Sequence, residues 1–71
     1  MITLRMARQK NMMSQSEAAE KFGVHYQTLA KWETDNSKMP YNMVALIPKI
    51  YGISPDEIFF GNENDYIRFK P

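Results

Sequence analysis

Gln27, Ala30 and Lys31 stand within one helical turn of one another, and an amide, a methyl and an ammonium are groups that can recognise the edges of nucleic-acid bases. An amide can pair bidentately with adenine, an ammonium can reach guanine or a phosphate, and an alanine methyl can meet the methyl of thymine. Tyr26, one residue before Gln27, can add a base or backbone contact. Other chemistries find less support. The acids Glu17, Glu20, Glu33, Asp35, Asp56 and Glu57 have no serine–histidine–acid arrangement or glycine-rich phosphate loop around them, so an enzyme is not expected. No Cys is present and His25 is the single histidine, which argues against disulfides and metal cages, and a protein that acts by binding base edges would need no cofactor.

For Gln27, Ala30 and Lys31 to act together, a helix must present them on one side. Residues 26 to about 34 have that pattern. At 100° per residue Leu29 and Trp32 point one way, while Gln27, Ala30, Lys31 and Thr34 point the other. Before this helix, Ser14-Gln15-Ser16-Glu17 is a capping box that opens a short helix with Ala18, Ala19 and Phe22 inward, and Gly23 closes it. Val24 is placed to fill the turn. Residues 14 to 33 therefore predict two short helices around one tight turn, a helix-turn-helix. Thr3 caps an earlier helix to about Asn11, with Leu4, Ala7 and the stem of Arg8 on one face.

Beyond a loop at Thr34-Asp35-Asn36-Ser37, Pro40 suits the edge of a fourth helix carrying Val44, Ile47, Ile50 and Tyr51, with a kink or break near Ile47 caused by Pro48. Ser54-Pro55-Asp56-Glu57 is a second capping box, predicting a short fifth helix with Ile58, Phe59 and Phe60 before Gly61. The expected organisation is an all-α, five-helix domain over residues 1–61 and a tail over residues 62–71. Tyr66, Ile67 and Phe69 make that tail too apolar for a frayed end, and leave open whether it folds back or adds to a partner.

The 71 residues have room for one modest core, since chains of about this size bury only roughly 60% of their unfolded surface. A hydrophobic content of 44%, including six Met and nine aromatic residues, is enough to fold. The net charge is only +1, but it is uneven. Residues 1–40 hold six Lys or Arg against four acids, a net +2, and the remainder is −1. That asymmetry favours phosphate contacts by the first half. Met1-Ile2-Thr3-Leu4-Arg5 lacks the apolar run of a signal peptide and nothing approaches the ~18 apolar residues of a membrane span, so a cytoplasmic protein without membrane contact is expected.

Ala7-Arg8, Ser14-Gln15 with Ala18-Ala19, Gly23-Val24, Thr28-Leu29, Trp32-Glu33, Pro40, and Tyr51-Gly52-Ile53-Ser54 with Asp56-Glu57-Ile58 together resemble the Cro/CI-like (XRE-type) helix-turn-helix family of phage and bacterial repressors. The resemblance covers about residues 3 to 60. It implies a lambda-repressor-like fold and a regulator that binds a double-stranded DNA operator as a homodimer, with the segment after Ser54 (Phe59, Phe60 and the tail) as the dimer contact. Under it Gln15, at the positive end of the second helix, and Lys38 contact phosphate, and Thr28 joins Tyr26, Gln27, Ala30 and Lys31 on the reading helix. Arg8 and Glu33 form an ion pair tying the first helix to the third.

The chain departs from the family in places. His25 stands where a Ser or Thr cap is usual, which implies weaker capping or a phosphate contact by His25. Ala7 and Ala18 replace larger residues, with Met13, Phe22 and Trp32 to supply volume. Asp35 replaces a Gly, which shifts any left-handed backbone onto Asp35 or Asn36. A second function stays open, because a nearly neutral, aromatic-tipped helix also suits the groove of another repressor protein.

Overall fold

Three side-chain caps set the spacing of the first half of the molecule. In the computed structural model, which describes residues 1–69, Thr3 Oγ1 accepts a hydrogen bond from the Met6 amide at 3.1 Å and starts α1 (Leu4–Lys10). Ser14 Oγ accepts from Glu17 N at 3.1 Å while Glu17 Oε1 accepts from Ser14 N at 2.9 Å, a complete capping box at the head of α2 (Gln15–Phe22). These bonds satisfy amides that have no partner inside a helix. His25 Nδ1 accepts from Gln27 N at 3.2 Å and opens α3 (Tyr26–Thr34), so the imidazole does the work of the usual hydroxyl cap.

The turn between α2 and α3 closes on Gly23, at φ +75°, where a side chain would be strained. Val24 N donates to Ala19 O at 3.0 Å and Gly23 N to Glu20 O at 3.1 Å, which satisfies the last carbonyls of α2. Half-buried Val24 then packs on the core, as its position in the turn predicts.

The core gathers Leu4 and Ala7 from α1, Ala18, Ala19 and Phe22 from α2, and Leu29 from α3, with Met39, Ile47, Tyr51 and Ile58 closing it from the second half. The Phe22 ring meets Trp32 and Tyr51 edge-on at centroid distances of 6.3 and 5.6 Å, and half-buried Met13 packs against the core. Ala7 and Ala18 are both buried in this core.

The helix expected after Pro40 is broken as Pro48 predicts. It forms α4 (Tyr41–Val44) and α5 (Ile47–Tyr51). Pro48 has no N–H to offer the Val44 carbonyl, Leu46 N turns instead to Met43 O at 3.0 Å, and the α pattern resumes with Ile50 N donating to Leu46 O at 2.9 Å. Ile47 and Tyr51, four residues apart on α5, share its inward face and are both buried.

Two expectations are corrected. The Ser54 box starts only a single 3₁₀ turn, Pro55–Glu57, and Ile58 to Phe60 are not helical. Ile2 N donates to Glu57 O and Phe59 N to Ile2 O, both at 2.8 Å, so the segment pairs in parallel with the start of the chain. β-branched and aromatic residues favour that extended state. Nor does Asp35 or Asn36 take a left-handed backbone. Asp35 is extended (φ −155°), and Met12, in the turn after α1, is the non-glycine residue at positive φ among those described.

Residues 63–69 form a last helix, α6 (Glu63–Phe69), which folds back on the domain. Glu63 pairs with Arg5, the Tyr66 hydroxyl donates to Met1 O at 2.8 Å, and the Tyr66 ring meets Phe59 edge-on. Lys70 and Pro71, the end of the expected tail, lie outside the described residues. No helix among those described is long and apolar enough to cross a membrane.

Candidate nucleic-acid interface

α3 has two chemically different sides. Leu29 is fully buried, Glu33 nearly so, and Trp32 half-buried against the core. Opposite them Gln27, Lys31 and Thr34 are exposed, Tyr26 is 47% exposed at the tip, and Thr28 and Ala30 are half-buried at the margins. Nine residues make a helix of about 13.5 Å, a rod that fits the major groove of double-stranded DNA. Thr34 Oγ1 donates to the Ala30 carbonyl at 3.2 Å, so that hydroxyl is partly occupied by its own helix.

A buried polar network locks the inner side. Glu33 Oε2 accepts from Arg8 Nε at 2.6 Å, and Glu33 Oε1 accepts from Arg8 Nη2 at 3.3 Å and from Gln15 Nε2 at 2.9 Å. Arg8 Nη1 donates to the Met13 carbonyl at 2.9 Å. The Glu33 carboxylate thus ties α1 and the first residue of α2 to the last turn of α3, and the Arg8 guanidinium adds the α1–α2 turn. A buried pair is tolerable only when its remaining donors and acceptors are also met, and here both oxygens and three guanidinium nitrogens have partners. The Gln15 and Met13 bonds were not foreseen from the sequence. The hint was that a carboxylate facing an arginine retains acceptor sites, and Gln15 stands at a helix start nearby.

The other predicted contacts lie outside α3 itself, at the start of α2, at the cap of α3 and in the loop after it. Gln15 is half-buried with its amide held by Glu33, and a primary amide keeps a second N–H for another acceptor. The exposed His25 ring caps α3 through Nδ1 and lies 4.6 Å from the Tyr26 ring, which leaves Nε2 free of the cap. Lys38 is exposed on the α3–α4 loop. Neither Lys31 nor Lys38 joins an ion pair among the described residues. Asp35, beside Lys38, has its carboxyl held below the usual range by hydrogen bonds from Ser37, first from its side chain and then from its backbone, so it stays anionic and offsets part of the lysine's field.

Sequence reasoning missed Asn36. It is 3% exposed, its Nδ2 donates to the Phe59 carbonyl at 3.2 Å, and its Oδ1 accepts from Gly61 N at 2.9 Å. An asparagine in a polar loop has no pattern that marks it as buried.

A preformed, partly hydrogen-bonded helix with amide, ammonium, methyl and phenol outward can read base edges, and no group of acidic or imidazole side chains among the described residues is arranged to hold a metal. Comparison with protein-family models matches residues 4–58 to a family described as helix-turn-helix, a DNA-binding regulatory domain rather than an enzyme family. No curated protein and no solved structure gives a significant match.

Proposed function

The chain belongs to the Cro/CI-like family of helix-turn-helix DNA-binding regulators, and from that premise we propose that it recognises a specific double-stranded operator through the outer side of α3. The observation that carries the proposal is the division of α3 into a locked inner side, with Leu29 and the Glu33 network, and an exposed outer side with Gln27 and Lys31. In this reading Gln27 pairs with adenine, Lys31 reaches guanine or phosphate, Ala30 and Thr28 make close margin contacts, and Tyr26 meets a base or the backbone. Gln15, with its second amide hydrogen, His25 and Lys38 bind phosphates and set the register.

One such domain reads about four bases, so selectivity needs two copies on half-sites about one helical turn apart. Exposed Phe60 and Ile67 favour the C-terminal side as the contact between copies. Control by occupancy follows, most simply repression of a promoter that overlaps the operator, exerted in the cytoplasm. No cofactor takes part.

The test is a titration of the protein against fluorescent DNA from its own promoter region and a scrambled control, at about 50 and 200 mM salt. Selective binding that weakens steeply with salt is expected. Weak binding, equal for both DNAs, would contradict the proposal. It would favour a second reading, in which the face grips another repressor protein. That reading draws on the outer side of α3 having Lys31 as its one charged group and a half-exposed Tyr26, a surface as suited to a protein groove as to DNA.

A further inference from the structure

Four polar residues are buried among those described: Thr3, Arg8, Glu33 and Asn36. Thr3 caps α1, and Arg8 and Glu33 pair, which leaves Asn36 to be explained. Its amide orientation is dictated by its partners, because the Phe59 carbonyl can only accept and the Gly61 amide can only donate. A second link runs alongside, an antiparallel bridge between Asp35 and Asn62. The segment after Ile58 is therefore fastened to the residues that leave the recognition helix.

What this fastening holds is a turn. Asn36 O accepts from Met39 N at 3.0 Å, so residues 36–39 form a four-residue turn with Lys38 at its third position. The fourth corner, Met39, is anchored in the core, and the first corner is anchored by Asn36. Asp35 Oδ1 accepts from Ser37 N at 3.0 Å and stiffens the approach. Lys38 thus projects from a turn pinned at both ends, one end by the C-terminal arm.

We propose that Asn36 is a positioning residue for DNA binding, and that residues 59–69 act through it as part of the DNA-binding unit, holding the Lys38 turn where a phosphate can be met. The inference rests on the DNA reading above. It assigns a role to a side chain that touches no DNA and to a segment distant in sequence from the helix-turn-helix.

Two variants loosen the clamp from opposite ends. Asn36→Ala removes it from the turn side. Gly61→Ala acts from the arm side, because Gly61 sits at φ +144° and an added Cβ would lie 3.2 Å from the Phe59 ring. Each is compared with Lys38→Ala and with the double variant Asn36→Ala/Lys38→Ala, by titrating promoter DNA over a range of salt, with the near-ultraviolet circular dichroism of Trp32 confirming a folded core. Should Asn36→Ala fail to fold, Asn36→Asp keeps the shape and the acceptor toward Gly61 while losing the donor to Phe59.

Loss of one phosphate contact lowers the slope of log K against log salt by about 0.9, and this is expected for Lys38→Ala, Asn36→Ala and Gly61→Ala alike. The double variant should bind no more weakly than Lys38→Ala, within about twofold. In the free protein, NMR order parameters of residues 37–39 should fall in both clamp variants. A full salt slope in both clamp variants, losses that add to that of Lys38→Ala, or unchanged order at residues 37–39 would each overturn the proposal. Failure of the wild-type protein to bind DNA selectively would be visible without any variant. It would overturn the DNA reading, and with it this role for Asn36, even if the turn still loosened.

Discussion

Arg5 and Arg8 lie one turn apart on α1, and each reaches a glutamate on a later helix, but the two pairs live in different surroundings. The Arg8–Glu33 side chains are 11% and 0% exposed, whereas those of Arg5–Glu63 are 37% and 24% exposed. Water screens the second pair and competes for it, so it guides α6 into place without strongly holding it. The first pair has lost its water and depends on Gln15 and Met13 to complete its hydrogen bonding. Similar side chains therefore serve different ends: the buried pair dictates how α3 sits against α1 and α2, and the exposed one decorates a joint that Tyr66, Phe59 and Asn36 also make.

The contrast breaks most visibly at Glu33. Glu33→Ala strands a buried guanidinium and should cost about 3–5 kcal/mol, a large part of the stability of so small a domain, read as a collapse of the thermal midpoint. Replacing both members by apolar residues of similar volume should cost much less. Equal losses for the single and double replacements would show that the pair is not desolvated as its burial indicates.

A smaller effect comes from Tyr51, which packs near the same pair. Burial first, and then the negative charge of Glu33, push its phenol well above the ordinary tyrosine range, while Arg8 pulls the other way. The unfolded chain releases this proton near pH 10 and the folded chain holds it longer, so above about pH 10 the unfolded state binds fewer protons and stability falls as pH rises. Tyr51→Phe should reduce that alkaline decline. No partner for the hydroxyl is found among the described residues, so at neutral pH the change should be neutral or stabilising by about 1 kcal/mol. Denaturant unfolding at pH 7 and pH 11 checks both parts, and an unaltered alkaline decline would place Tyr51 in a wetter site.

The smallest effect is expected at the exposed pair. Arg5→Ala should cost roughly 0.2–1 kcal/mol at low ionic strength and less in high salt, measured by thermal unfolding at two salt concentrations. A loss as large as that of Glu33→Ala would erase the distinction between the two pairs.

How much could be read in advance depends on the reach of each interaction. Thr3, Ser14 and Gly23 act on neighbours within four residues, and the helices they delimit match the sequence closely. Pro48 broke its helix for an equally local reason. Ser14 and Ser54 open the same box, yet one starts eight helical residues and the other a single 3₁₀ turn, because the residues just after Glu57 pair with Ile2 at the opposite end of the chain. The outer residues of α3 were legible from periodicity alone. The Arg8–Glu33 pair came from family resemblance, since nothing in the spacing of two residues on separate helices joins them. Gln15 as a bridge and Asn36 as a clamp depend on carbonyls and carboxylates brought together only by the fold, and a sequence carries no local mark of that.

The central claim is that the outer side of α3 reads base edges, and the most direct measurement is the selectivity of Gln27→Ala, the ratio of its affinities for promoter DNA and for a scrambled duplex. Loss of one bidentate base contact, about 1–3 kcal/mol, should shrink that ratio by roughly five- to 150-fold, while binding to the scrambled duplex stays nearly unchanged. An unchanged ratio, or an equal loss on both duplexes, would contradict direct readout by α3.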